Sequence, residues 1–152
     1  KQHQLTFDVI AGTATAGIPH AAWLAQALNK PMIYVRSKAK AHGQGNQIEG
    51  VLNNNSRVLV IEDLVSTGGS VINATDAIRQ QGGIVSDCLC IFTYGMQQAK
   101  QAMSQTSLHC HALTELDTLL ETARKLQYIN ATDIPLIQQW QQSPRDWQPE
   151  SS

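Results

Sequence analysis

Val58 to Ser70 constrains this chain more than any other stretch. It opens as an unbroken apolar run, Val58 to Ile61, and continues with two adjacent acids, Glu62 and Asp63. Leu64, Val65, Ser66, Thr67, Gly68, Gly69 and Ser70 follow. An apolar run without alternation is a strand buried on both faces, the mark of a parallel sheet covered by helices. A helical pattern starts directly afterwards, with Val71, Ala74 and Ile78 on one face. The stretch therefore reads as buried strand, acidic strand end, and a tight loop feeding a helix N-terminus. Free backbone N–H groups and the positive end of the helix dipole make such a loop a phosphate cradle. Carboxylates repel phosphate, so Glu62 and Asp63 suit a ligand with phosphate at one end and hydroxyls or a metal further along. A phosphorylated sugar fits. The plainer alternative is an ordinary strand-to-helix turn capped by Ser70.

The rest of the chain alternates in the same manner. Strands are expected at Phe7–Ala11, Met32–Val35, Ile48–Leu52, Ile84–Phe92 and Ser107–Ala112. Helices are expected from Ile18 to about Asn29, and over Ser70–Gln81, Met96–Gln105, Leu113–Leu126 and Thr132–Gln142. Pro19 falls in a first helical turn, where a missing N–H costs nothing. Alternating strands and helices with apolar central strands give an α/β domain with a mostly parallel, Rossmann-like sheet flanked by helices. Residues 1–142 form one core domain in this reading, and 143–152 an extended tail. Ligands in such sheets bind beyond the carboxyl ends of the strands. That edge gathers three loops: Gly12–Gly17, Arg36–Asn46 and Glu62–Ser70.

Each loop has its own chemistry. Gly12–Gly17 fits G-x-x-x-x-G, but Ile18 and Pro19 stand where a nucleotide-triphosphate loop needs Lys and Ser/Thr. A backbone anion cradle remains as the reading. Ser37–Asn46 has Lys38, Lys40, His42, Gly43 and Gly45 and almost no apolar mass, which predicts an exposed, mobile loop. With Arg36 it concentrates positive charge, in keeping with a basic lid over a polyanion. His109-Cys110-His111 is not a metal site by this reading, because a strand puts the histidines on one face and the cysteine on the other. Cys88 and Cys90 share a face of a buried strand and read as core. Trp23, Trp140 and Trp147 are too scattered to form a stacking platform.

Composition narrows the function classes. At 152 residues the chain is one domain. A formal net charge of −1 lacks the basic excess of a nucleic-acid binder. Three cysteines without C-x-x-C spacing argue for reduced thiols in the cytoplasm. No apolar run approaches the roughly 18 residues of a membrane span. The chain starts at Lys1 and enters a strand almost at once, so an N-terminal portion is expected to precede it.

Val58–Ser70 resembles the 5-phosphoribosyl 1-diphosphate (PRPP) motif of type I phosphoribosyltransferases. Three further stretches, Asp8–His20, Tyr34–Gly50 and Cys90–Tyr94, resemble the orotate phosphoribosyltransferase family in its Gram-positive form. The likeness covers about Phe7 to Trp140. It implies transfer of ribose 5-phosphate from PRPP to N1 of orotate, giving orotidine 5′-monophosphate and pyrophosphate in pyrimidine synthesis, with Mg²⁺. It implies PRPP contacts along Glu62, Asp63, Leu64, Val65, Ser66, Thr67, Gly68, Gly69 and Ser70. The last five of these hold the 5′-phosphate, and the two acids meet the ribose hydroxyls. Ser66 is also the candidate for orotate. Thr15–Gly17 lie against the pyrophosphate, joined by Arg36, Lys40 and His42, of which Lys40 and His42 are the catalytic candidates. No direct metal ligand is implied. A homodimer sharing its mobile loop, and a cytoplasmic location, complete the expectation.

Ser37 and Ala16 stand where some relatives carry lysine, and Phe92-Thr93-Tyr94 lacks an arginine that some use for orotate. The family's N-terminal hood has no counterpart in this sequence. The alternatives are a purine phosphoribosyltransferase, or a PRPP-sensing regulator of the same fold without catalysis.

Overall fold

The structure is a computed structural model, and it describes residues 5–38, 46–144 and 147–148. β1 (Val9–Thr13), α1 (Gly17–Leu28), β2 (Met32–Val35) and β3 (Ile48–Glu49) precede β4 (Arg57–Val65) and α2 (Gly69–Gln80). β5 (Ile84–Thr93), α3 (Gln97–Gln105), β6 (His109–Glu115), α4 (Leu116–Lys125) and α5 (Asp133–Gln142) follow. The six strands form one sheet in the order β3-β2-β1-β4-β5-β6. All neighbours are parallel except β2 and β3. This is the α/β architecture expected from the alternation of elements.

Strand alternation divides the core between the two faces. Ile10, Leu59 and Ile61 pack on Ala21 and Ala25 of α1. Ala11, Val58, Val60, Cys88 and Cys90 pack on the other face, with Val71, Ala74 and Ile78 of α2 and Ala99 and Met103 of α3. β4 serves both faces, which is why its first half carries no polar residue between Val58 and Ile61. Asn29 closes α1 in the left-handed conformation at φ 50°, a conformation asparagine tolerates.

Several elements depart from the sequence expectation in their length: β3 is only Ile48–Glu49 instead of reaching Leu52, and α4 starts at Leu116 instead of Leu113 because β6 takes the residues before it. β4 does not stop at its acidic pair: it runs on past Glu62 and Asp63 to Val65. There Glu62 pairs in register with Cys90, Leu64 with Phe92 and Val65 with Thr93. β6 likewise continues past Ala112 to Glu115, because Phe92 and Thr93 of β5 extend the ladder to Thr114 and Glu115. Pairing with a long neighbour overrides local sequence preference. In β6 the histidines fall on one face, as alternation requires. His111 Nε2 lies 2.8 Å from Asp87 Oδ1, and His109 Nδ1 lies 4.0 Å from the same oxygen. Cys110 faces the other way, its sulfur 3.7 Å from that of Cys90.

Chain direction reverses between β1 and β4. From β1 the chain crosses by α1 to β2 on one side, and from β4 by α2 to β5 on the other. The loops that leave the carboxyl ends of β1 and β4 therefore diverge, and open the crevice in which such sheets bind ligands.

Candidate functional site

The wall of this crevice is the turn from β4 into α2. Gly68 caps the helix in the left-handed region at φ 84°. A side chain there would be strained, and its Cβ would stand 3.2 Å from the Met103 side chain. No side chain caps α2, so the backbone N–H groups of its first turn face the crevice without a protein acceptor from a cap. Ser70, the capping candidate in the sequence, does something else: its hydroxyl donates to Glu62 Oε2 at 2.8 Å. Ser66 and Thr67 are half-buried and Gly69 is exposed at the same turn. The turn is pinned from β5, where the Tyr94 N–H donates to the Val65 carbonyl at 3.0 Å.

The two acids differ in burial. Asp63 is half-buried, and alternation points it to the α1 face. Glu62 is only 5% exposed, on the opposite face. Its Oε1 accepts the Thr13 hydroxyl at 2.6 Å and the Asp63 N–H at 3.1 Å. Burial, helped by the neighbouring Asp63 carboxyl, pushes the Glu62 carboxyl above its ordinary range, against the lowering effect of the Thr13 and Ser70 hydroxyls.

The first loop closes the crevice from β1. Thr15 and Ala16 are exposed at its tip, and the Ala14–Thr15 peptide is cis. Gly17 is buried at the start of α1, where an added Cβ would stand 2.5 Å from the Ile61 carbonyl oxygen. Only a glycine lets α1 come this close to β4.

Arg36 ends β2 and is held from two sides. Its backbone exchanges hydrogen bonds with Gln47, and its guanidinium lies 3.4 Å from Glu49. Asn73 of α2 donates to the Ser37 carbonyl at 3.1 Å, and the Gln81 amide reaches Asn46 Oδ1. α2 and the residue that caps it thus hold both ends of the basic segment. Lys40 and His42 lie outside the described residues. Leu64 is exposed and Val65 buried, so neither offers a polar side chain to a ligand.

Two features carry no signal in the sequence. Thr13 is one small residue among several near the first loop, and its contact shows only because β1 and β4 are neighbours. The other is a cavity of about 380 Å³ between α3 and the ends of β5 and β6, lined by Met96, Met103, Thr93 and Glu115 among others. Nearby, Trp140 of α5 meets Tyr94 edge-on at 5.4 Å, an approach no local pattern foretells.

Comparison with known proteins agrees with this geometry. The phosphoribosyl transferase domain family matches residues 1–109. An orotate phosphoribosyltransferase of Coxiella burnetii is 49% identical over 149 residues, which are 98% of this chain and 71% of that protein. The chain belongs to the orotate phosphoribosyltransferase family. Among solved structures, orotate phosphoribosyltransferase from Aeropyrum pernix superposes with a TM-score of 0.71 at 32% identity, covering 82% of this chain and 67% of that one. The Mycobacterium tuberculosis enzyme in complex with PRPP superposes with a TM-score of 0.62 at 25% identity, covering 74% and 64%. In this phosphoribosyltransferase fold the turn Ser66–Ser70 is the segment whose sequence resembles the PRPP motif.

Proposed function

We propose that this protein transfers the 5-phosphoribosyl group of PRPP to N1 of orotate, a step of pyrimidine nucleotide synthesis. The observation that carries this reading is the uncapped N-terminus of α2, set beside Asp63 at the carboxyl edge of β4. Phosphate binds the N–H groups of residues 66–70, and the helix dipole favours its charge. Asp63 accepts a ribose hydroxyl. The diphosphate of the donor extends toward Thr15–Gly17, with Arg36, Lys40 and His42 as its cationic partners.

In the reaction the C1–O bond to pyrophosphate breaks and a C1–N1 bond to orotate forms, while the N1 proton is lost to solvent. Positive charge develops at C1 and negative charge on the departing pyrophosphate. Cations aimed at the pyrophosphate stabilise the transition state more than the ground state, which is what raises kcat. No covalent nucleophile is required. Exclusion of water protects PRPP from hydrolysis.

Mg²⁺ fits this site as an ion carried by the substrate. Among the described residues no three His, Cys, Asp or Glu side chains are grouped to hold a metal. Asp63 is a half-buried carboxylate at the edge, and Mg²⁺ is commonly held by one or two carboxylates plus phosphate oxygens. When bound, the ion supplies neutralising charge to the diphosphate. No described helix is long and apolar enough to cross a membrane. A cytoplasmic homodimer completes the proposal.

The test is turnover by full-length protein given PRPP, Mg²⁺ and either orotate or adenine. Orotidine 5′-monophosphate and pyrophosphate are expected from orotate alone. Turnover of adenine without orotate, or of neither base, would overturn the assignment.

A further inference from the structure

Three side chains from three elements meet on the α2 face of the sheet. Thr13 ends β1 and is 2% exposed, Glu62 lies within β4, and Ser70 opens α2. Thr13 Oγ1 has two acceptors in reach, Glu62 Oε1 at 2.6 Å and the Ile61 carbonyl at 3.1 Å. A hydroxyl has one hydrogen, and the shorter, charge-assisted contact takes it. Packing alone does not call for this hydroxyl, because valine has the same shape and suits a strand equally well.

Ser70 also has one hydrogen, and gives it to Glu62 Oε2 at 2.8 Å. A phosphate at the N-terminus of α2 competes for it. If Ser70 turned to that phosphate, Oε2 would lose its partner. Oε1 would keep two, the Thr13 hydroxyl and the Asp63 N–H. The carboxylate would then stay fixed with one oxygen free to accept a new donor.

We propose that Thr13 is a positioning residue for phosphoribosyl transfer. It anchors the Glu62 carboxylate while Ser70 changes partner from Glu62 to the donor's 5′-phosphate, so that phosphate binding opens Glu62 Oε2 to a ribose hydroxyl. This rests on the function proposed above and adds a coupling to it: the phosphate and ribose contacts of the donor are made together. The titratable neighbours of Glu62 among the described residues are Asp63 beside it and Cys90, its register partner on β5. Thr13 and Ser70 are neutral at every pH of interest.

The experiment compares Thr13→Val, Thr13→Ser and the parent as full-length proteins. The first readout needs no turnover: the Glu62 carboxyl is titrated by carbon-13 NMR. Loss of a hydrogen bond to the charged form moves the Thr13→Val midpoint to higher pH, and Thr13→Ser returns it to the parent position. The second readout is kcat/KM for PRPP across pH. Thr13→Val is expected to lose ~10-fold, with its acidic limb moved to higher pH, and Thr13→Ser to recover to within ~2-fold. An active parent whose Thr13→Val variant titrates and turns over like the parent would overturn the inference alone. So would a Thr13→Ser variant as impaired as Thr13→Val. A parent that makes no nucleotide from orotate would sink the proposed function, and this inference with it.

Discussion

Glu62 and Asp63 are neighbours in the chain with opposite surroundings. Glu62 is buried and spends both oxygens on protein donors, while Asp63 is half-buried at the crevice. Asp63→Asn is therefore expected to leave the melting temperature within about 2 °C of the parent. The same change should lower kcat/KM for PRPP by at least ~10-fold, through the lost charge at the sugar. Glu62→Ala should lose stability as well, about 1–3 kcal/mol by urea unfolding, because the buried Thr13 hydroxyl loses its shorter contact and the buried carboxylate leaves a void. Equal loss of stability in both variants would contradict the opposite placement of the two side chains. Two consecutive acids are plain in the sequence. Their different environments are not, because they depend on β4 continuing to Val65 under the pull of its pairing with β5.

The elements are joined at their amino ends as well as at the site. Asp8, just before β1, takes the Arg57 guanidinium in two hydrogen bonds of 3.0 and 2.8 Å, and the Arg57 N–H in a third of 3.0 Å. Arg57 opens β4, so this clasp sets where the two central strands begin. The guanidinium holds the Asp8 carboxyl well below its ordinary value of 3.8. A group with a depressed folded pKa adds stability above the unfolded value and loses it as pH falls toward the folded one. Asp8→Asn should thus lower the melting temperature at pH 7, on the order of 2 °C, since the pair is exposed and screened. The difference between parent and variant should shrink as pH drops below 3.8 and vanish at strongly acid pH. A difference that persisted there would show that the clasp acts by shape and not by charge. The elements themselves were largely legible: α2 and α3 lie within one residue of their expected bounds. The ends of β4 and β6 were not, since a ladder extends as far as its neighbour does.

At the scale of the molecule, the sheet brings the loops after β1, β2 and β4 to one edge, and α2 with the residue that caps it fastens both ends of the basic segment beside them. Lys40→Ala in full-length protein is expected to lower kcat at least ~10-fold, about 1.4 kcal/mol of transition-state stabilisation. Weaker PRPP binding at unchanged kcat would contradict a role on the departing pyrophosphate. The sequence by itself determined the α/β class, because continuous apolar strands must be covered on both faces. It also singled out the turn proposed here to hold the donor, because a Ser/Thr-Gly turn after an acidic strand is a local device that offers backbone N–H groups to an anion. Only the tertiary structure decided that Glu62 is buried and Asp63 is not, and that Thr13 and Ser70 share the Glu62 carboxylate. Those contacts join residues 8 to 49 positions apart. The Thr13 contact exists only once β1 lies beside β4, and the Ser70 contact only once α2 folds back over the end of β4, so no local pattern of residues specifies either partner.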